Sequence, residues 1–337
     1  MPLNDLLETL SERSLDQHES YRTFAGLIEG ELTEVEIAAL LAALKTRGET
    51  PAEIAGAARA LREAAVPFPK PDYPVADTCG TGGDGAGTVN LSTAAAFVAA
   101  EAGIAVAKHG NRAASSRCGS ADLLAAFGVR LDPPPEVARR SLDLIGLCFL
   151  FAPAYHPGVR RAGGVRQALK TRTLFNLLGP LANPARPEFQ VLGVYRPQLC
   201  RAMAETSGML GCRSALVVHG AGLDEIALHY VTTAAWLHDG MVEELTLSPE
   251  QAGLSRAPLS ALAGGDPAEG AIWLSSLLAG RGDPVHMDAV ALNAGALLWI
   301  AGRARDFRDG VELAATILER GAARHRLDRL AELSHGA

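Results

Sequence analysis

Residues 77–122 read DTCGTGGDGAGTVNLSTAAAFVAAEAGIAVAKHGNRAASSRCGSAD. Glycines, small hydroxyl residues and the bases Lys108 and Arg112 surround two short apolar runs. That mixture is poor for a core and suits backbone that must come close to a polyanion. The spacing predicts a strand over 75–78, a small-residue helix over 92–102 stopped by Gly103, a buried strand over 104–107 and a helix over 120–127 stopped by Gly128. Strands alternating with helices imply an α/β fold around a central, largely parallel sheet. Further strands are predicted over 148–151 and 215–218. Residues 234–247, AAWLHDGMVEELTL, read as a hairpin, because Asp239-Gly240 suits a type I′ turn. Helices are predicted over 273–278, 287–301 and 310–320.

Upstream the pattern is helical only. Leu3, Leu6, Leu7 and Leu10 recur at helical spacing, as do Tyr21, Phe24, Leu27 and Ile28 before Gly30. Thr33 with Glu36 has capping-box spacing, and the helix that follows ends at Gly48, a natural left-handed position. Thr50-Pro51 with Glu53 opens another helix. Residues 66–74, VPFPKPDYP, form a stiff proline-rich linker. The expected organisation is a small helical domain over 1–70 and an α/β domain over 75–337. An apolar stripe left on the helices would serve either as packing surface or as a dimer face.

The composition is that of an ordinary globular protein, 48% hydrophobic and 20% charged, with a net charge of −7. Neither a basic balance nor a basic stripe is present, so no nucleic-acid partner is expected. Five scattered cysteines without zinc spacing read as thiols of a reducing cytoplasm. The N-terminus lacks a signal-peptide apolar region, and the apolar stretch over 287–302 is too short to span a bilayer, so no membrane association is expected.

Gly80-Thr81-Gly82-Gly83-Asp84-Gly85 satisfies G-x-G-x-x-G. A dinucleotide site is nevertheless disfavoured. The next helix starts only near Ser92-Thr93, Asp84 would repel phosphates, and Glu101 falls late in a helix instead of ending a second strand. No Lys-Ser/Thr follows the last glycine, which excludes a Walker loop. The alternative is a polyphosphate held beside magnesium. Glycine amides form an anion nest, the Ser92-Thr93 helix start offers N–H groups and hydroxyls, Lys108 and Arg112 add charge, and Ser115, Ser116 and the cap Ser120 add donors. Asp84 then faces a ribose hydroxyl or the water shell of a metal. Asp224-Glu225 closes a glycine-containing turn after a strand end, either as a solvated pair or as hard oxygen ligands for Mg2+. Arg166, between Gly163-Gly164 and Gly179-Pro180, is either a surface residue or a bidentate carboxylate grip.

The motifs DTCGTGGDG, NLSTAAAFVAA, VAKHGNRAASSRCGSADLLAAFG, LKTRTLFNLLGPLANP and VVHGAGLDE together resemble the anthranilate phosphoribosyltransferase family. The resemblance covers nearly the whole chain; Arg117 stands where many members have Lys, and Gly270 where Asn is common. It implies a nucleoside phosphorylase-like fold, with segments near 165–185 returning to the helical domain. It implies transfer of phosphoribosyl from 5-phosphoribosyl 1-pyrophosphate to the amine of anthranilate in tryptophan biosynthesis. The donor would contact Gly80, Gly83, Asp84, Thr88, Asn90, Leu91, Ser92 and Thr93. It would also contact Lys108, His109, Gly110, Asn111, Arg112, Ala113, Ala114, Ser115, Ser116 and Ser120. Anthranilate would contact Gly80, Asn111 and Arg166, with His109 and His156 lining its approach. Ser92, Asp224 and Glu225 would hold Mg2+, with two ions expected and one the alternative. No general base is implied. A homodimer through the helical domain and association with anthranilate synthase are the expected protein contacts. A pyrimidine nucleoside phosphorylase on the same fold and a catalytically silent binding protein are the readings from other classes.

Overall fold

The computed structural model describes residues 3–113 and 117–336; the sequence-predicted donor residues Ala114, Ser115 and Ser116 lie outside them. Seven strands make one sheet: β1 (Ala76–Gly80), β2 (Val106–Gly110), β3 (Leu147–Phe151), β4 (Phe189–Gly193), β5 (Ser214–His219), β6 (Thr232–His238) and β7 (Met241–Leu247). Their order is β3-β2-β1-β4-β5-β6-β7, with β1 to β5 parallel and β6 and β7 antiparallel. The hairpin turn has positive φ at both Asp239 (48°) and Gly240 (75°), as a type I′ turn requires.

Helices cover both faces. Before the sheet come α1 (Leu3–Glu12), α2 (Gln17–Glu29), α3 (Glu34–Arg47) and α4 (Pro51–Glu63). The expected capping boxes at Thr33/Glu36 and Thr50/Glu53 are formed, and Asp16/Glu19 adds a third. Gly48 does have positive φ, but its ψ of 130° is extended, so the chain leaves α3 without a left-handed turn. Within and after the sheet come α5 (Leu91–Glu101), α6 (Ser120–Ala125), α7 (Pro135–Ile145), α8 (Ala152–Tyr155), α9 (Gly163–Leu169), α10 (Phe175–Leu181) and α11 (Leu199–Met209). The chain closes with α12 (Pro267–Leu278), α13 (Pro284–Ile300), α14 (Phe307–Glu319) and α15 (Arg324–Leu333).

Successive strand side chains point to opposite faces and divide the core accordingly. Val191, Leu216 and Val218 join α5 and α12 to α15 on one face, and Leu192 and Val217 join the N-terminal helices on the other. Helices α5 and α13 are apolar around most of their circumference, as their burial along most of their length demands. Val165, Leu174, Phe175 and Leu178 share a core with Leu6, Phe24, Leu40 and Ile54 of the N-terminal helices. The architecture is thus a small N-terminal helical domain beside a larger α/β domain.

Three boundaries differ from the sequence reading in ways that matter for the site. Gly103 turns the chain (φ 86°), and Ile104 N–H still closes α5 by bonding Ala99 O, so β2 begins two residues late. Lys108 and His109 consequently lie on a strand. Helix α5 starts at Leu91 after Asn90, whose side chain makes no cap bond, and Gly119 instead of Ser120 occupies the cap position of α6. The central strand β4 and helices α7, α11 and α15 were not read from the sequence.

Candidate active site

Strand order reverses between β1 and β4, and that switch point is where ligands of open α/β sheets bind. Gly80 and Gly193 are registered partners at the carboxyl ends of these strands. A Cβ on Gly193 would overlap the Asp224 carbonyl, and one on Gly80 would overlap the Asp224 carboxylate. The glycine pair therefore lets the turn after β5 cross the sheet edge. Asp224 in return accepts a hydrogen bond from Gly82 N–H at 2.6 Å. Glu225 accepts from Ser92 N–H at the start of α5, at 3.2 Å. The glycine loop beyond has positive φ at Gly82, Gly83, Gly85 and Gly87, which an all-L sequence would resist.

A cavity of about 800 Å3 opens above this edge. Burial, then the charge of Asp84, pushes the Asp224 carboxyl up; burial, then Asp224, raises Glu225, with Lys108 opposing. Three carboxylates thus crowd one wall. Lys108 is 3% exposed and donates to Thr78 O at 2.6 Å and to Ser92 Oγ at 3.4 Å. Below it lies Asp77, which is fully buried. Its carboxylate accepts from His109 N–H at 3.3 Å and from Asn183 Nδ2 at 2.9 Å. Among the described residues no set of three or more His, Cys or acidic side chains closes around a metal by itself. The donor chemistry nevertheless fits Mg2+, which usually takes one or two protein carboxylates and completes its shell with water and substrate phosphates. Asp224, Glu225 and Ser92 are the residues that could hold it.

The opposite wall comes from α4, α8 to α10 and the turns between them. It includes Leu61, His156, Arg160, Arg166, Phe175 and Asn176. The Arg166 guanidinium stands 5.3 Å from the Phe175 ring centroid, and among the described residues no carboxylate pairs with it. His109 and His156 pack edge to face at 5.3 Å between centroids. Burial depresses His109 to about 3, aided by the charge of His156, and burial depresses His156 to about 4, so both are neutral at pH 7. His109 Nδ1 bonds Gly179 O at 3.0 Å, and among the described residues the buried Nε2 has no partner.

Of the residues named from sequence, Gly80, Gly83, Asp84, Thr88, Asn90, Ser92 and Lys108 line the cavity together. So do His109, Gly110, Asn111, Arg112, Ala113, Ser120, His156, Arg166, Asp224 and Glu225. Leu91 and Thr93 do not; both are wholly buried in α5. Arg112 reaches Asp122 at 2.8 Å, and Asp122 also accepts from Ala113 and Gly119 N–H, so this acid shapes the 111–113 turn. Ser120 Oγ donates to Asn111 O at 3.3 Å. Asp122, Arg172 and Asn183 act on the site without having been read from sequence as contributors. Each nonetheless lies within a motif quoted above, Asp122 in VAKHGNRAASSRCGSADLLAAFG and the other two in LKTRTLFNLLGPLANP.

Comparison with known proteins adds independent findings. Residues 4–65 match the glycosyl transferase family helical bundle domain, and residues 72–324 match the glycosyl transferase family a/b domain. An anthranilate phosphoribosyltransferase of Sorangium cellulosum is 62% identical over 95% of this chain and 92% of its own length. The crystal structure of anthranilate phosphoribosyltransferase from Thermus thermophilus superposes with a TM-score of 0.93 at 46% identity, covering 98% of this chain and 99% of that one. The Saccharomyces cerevisiae enzyme in complex with PRPP and Mg superposes with a TM-score of 0.88 at 26% identity, covering 99% and 98%. Among the described residues no helix is long and apolar enough to cross a membrane.

Proposed function

This chain belongs to the anthranilate phosphoribosyltransferase family, and from that premise we infer that it transfers the phosphoribosyl group of 5-phosphoribosyl 1-pyrophosphate to the amine of anthranilate. The products are N-(5-phosphoribosyl)anthranilate and pyrophosphate, the step is Mg2+-dependent, and it serves tryptophan biosynthesis. The observation that carries the reading is one cavity with two unlike walls: a glycine cradle with an acidic pair, and an arginine over an aromatic ring.

We assign the glycine loop, Thr88, Asn90, Ser92, residues 108–116 and Ser120 to the donor, Gly80, Asn111 and Arg166 to the acceptor, and Ser92, Asp224 and Glu225 to the metal. When bound, Mg2+ supplies Lewis-acid neutralisation of the pyrophosphate. Lys108 adds a fixed cation against the charge that develops as the C1–O bond breaks. Arg166 holds the carboxylate of anthranilate so that its amine faces C1, positioning that contributes on the order of 7–11 kcal/mol in favourable cases. The arylamine is already neutral at pH 7 and needs no base before attack. His109 and His156, also neutral, shape the acceptor path. The proline-rich 66–74 stretch marks the domain boundary in this reading.

Loss of anthranilate fluorescence on mixing protein, donor and Mg2+, with each omitted in turn, tests the activity; fluorescence that persists with all three present refutes it. Two ions per site is our reading of the metal count, which titration of Mg2+ against donor binding decides. We place the protein in the cytoplasm as a homodimer through the helical domain, where Val35 is 74% exposed, and light scattering decides the oligomeric state. Co-elution decides whether anthranilate synthase docks.

A further inference from the structure

We propose that Arg172 is a positioning residue that holds the glycine loop in its donor-binding shape and ties that loop to the helical domain. Its guanidinium donates to Gly83 O and lies 4.0 Å from the Tyr195 ring centroid, while its own carbonyl accepts from Lys45 Nζ of α3 at 2.8 Å. The loop is anchored elsewhere at its ends. Gly82 N–H bonds Asp224, Gly264 N–H bonds Gly87 O at 2.7 Å, and Val89 N–H bonds Leu262 O at 2.9 Å. Among the described residues, the main chain of 83–86 has one bond to the rest of the molecule, and Arg172 makes it.

The Gly83 carbonyl and the Asp84 N–H belong to one planar peptide, so holding the first fixes the second. An anion nest needs successive N–H groups converging, and glycines with φ of 76° at both Gly83 and Gly85 leave that convergence poorly determined by local sterics. The aromatic face of Tyr195 keeps the guanidinium from swinging into solvent. Lys45 fixes the chain at the base of the same side chain. The line Lys45, Arg172, Gly83 thus runs from the helical domain to the donor cradle. Arg172 acts on the loop and is distinct from Lys108, which faces the donor itself.

The inference rests on the reading that the glycine loop binds the donor, and the test separates the two. Donor and anthranilate are each varied in steady-state assays of Arg172→Met, Arg172→Lys and Lys45→Met, and donor binding with Mg2+ is measured on the unaltered protein by calorimetry. Arg172→Met keeps the stem and removes the donors; it is expected to raise the KM for the donor by about tenfold, the scale of one charged hydrogen bond, while kcat and the KM for anthranilate stay within about twofold. Arg172→Lys recovers part of the loss, and Lys45→Met gives a smaller rise in the same constant. Equal rises in both KM values, or an unchanged donor KM, overturn the proposal. A silent Lys45→Met overturns the tie to the helical domain. If Arg172→Met does not fold, Arg172→Lys carries the same donor-only criterion. A protein that binds no donor before any substitution refutes the reading of the loop instead.

Discussion

Single residues here are set by burial more than by type. Arg166 and Arg112 are both arginines beside glycines, yet Arg112 is paired with Asp122 and Arg166 with no acid among the described residues. The desolvation that lowers the Arg166 pKa also strengthens any carboxylate contact it makes. Arg166→Ala is expected to raise the KM for anthranilate by about one to two orders of magnitude with little change for the donor; parallel rises would remove the role assigned to it. His156 gives a pH signature. Its proton affinity is lowered on folding, from 6.5 to about 4, so the unfolded chain takes up the proton first as pH falls. Stability should therefore decline between pH 6.5 and 4 and level off below, by roughly 3 kcal/mol at most from this group. His156→Gln should make that part of a denaturation-versus-pH curve shallower, with His109 supplying remaining slope of the same sign, and an unchanged curve would count against the burial argument. The residue types were legible in the chain; their partners were not, because Asp122 and Phe175 are recognisable as partners only once folded.

At the scale of elements, the site depends on a strand that the pattern did not disclose. FQVLG of β4 is a short apolar run broken by Gln190, and such runs do not distinguish strand from helix by periodicity. Gln190 is explained by its contacts: it is buried and donates to Pro180 O at 2.7 Å, tying α10 to the sheet. Gly193 ends the same strand under the Asp224 carbonyl. Gly193→Ala should push the 223–225 turn outward. A loss of roughly 1–3 kcal/mol in stability, the range for overpacking, is expected together with a weaker Mg2+ response. Loss of stability with the metal response intact would show that the turn is held elsewhere. The N-terminal helices contrast with this. Their capping boxes are contacts three residues apart, so Thr33/Glu36 and Thr50/Glu53 were legible before folding.

For the whole molecule, the issue is what ties the N-terminal helices to the rest of the chain. Arg62 of α4 donates to Leu181 O at 2.6 Å and Leu210 O at 3.1 Å, satisfying carbonyls at the ends of α10 and α11 from the helical domain. Burial lowers its pKa to about 10, still charged at pH 7. Arg62→Met should cost about 3 kcal/mol in urea unfolding, because two part-buried carbonyls lose their donor; a cost near zero would mean that water replaces it. What the chain alone determined was local: the alternation of elements, the capping boxes, the Asp239-Gly240 turn and the presence of a glycine loop. Each rests on residues within a few positions of one another. Tertiary structure alone decided that β4 lies between β1 and β5, that Asp224 passes over Gly80 and Gly193, and that Arg172 reaches Gly83. Those contacts join residues far apart in sequence, so only the packed sheet and helices could choose among them.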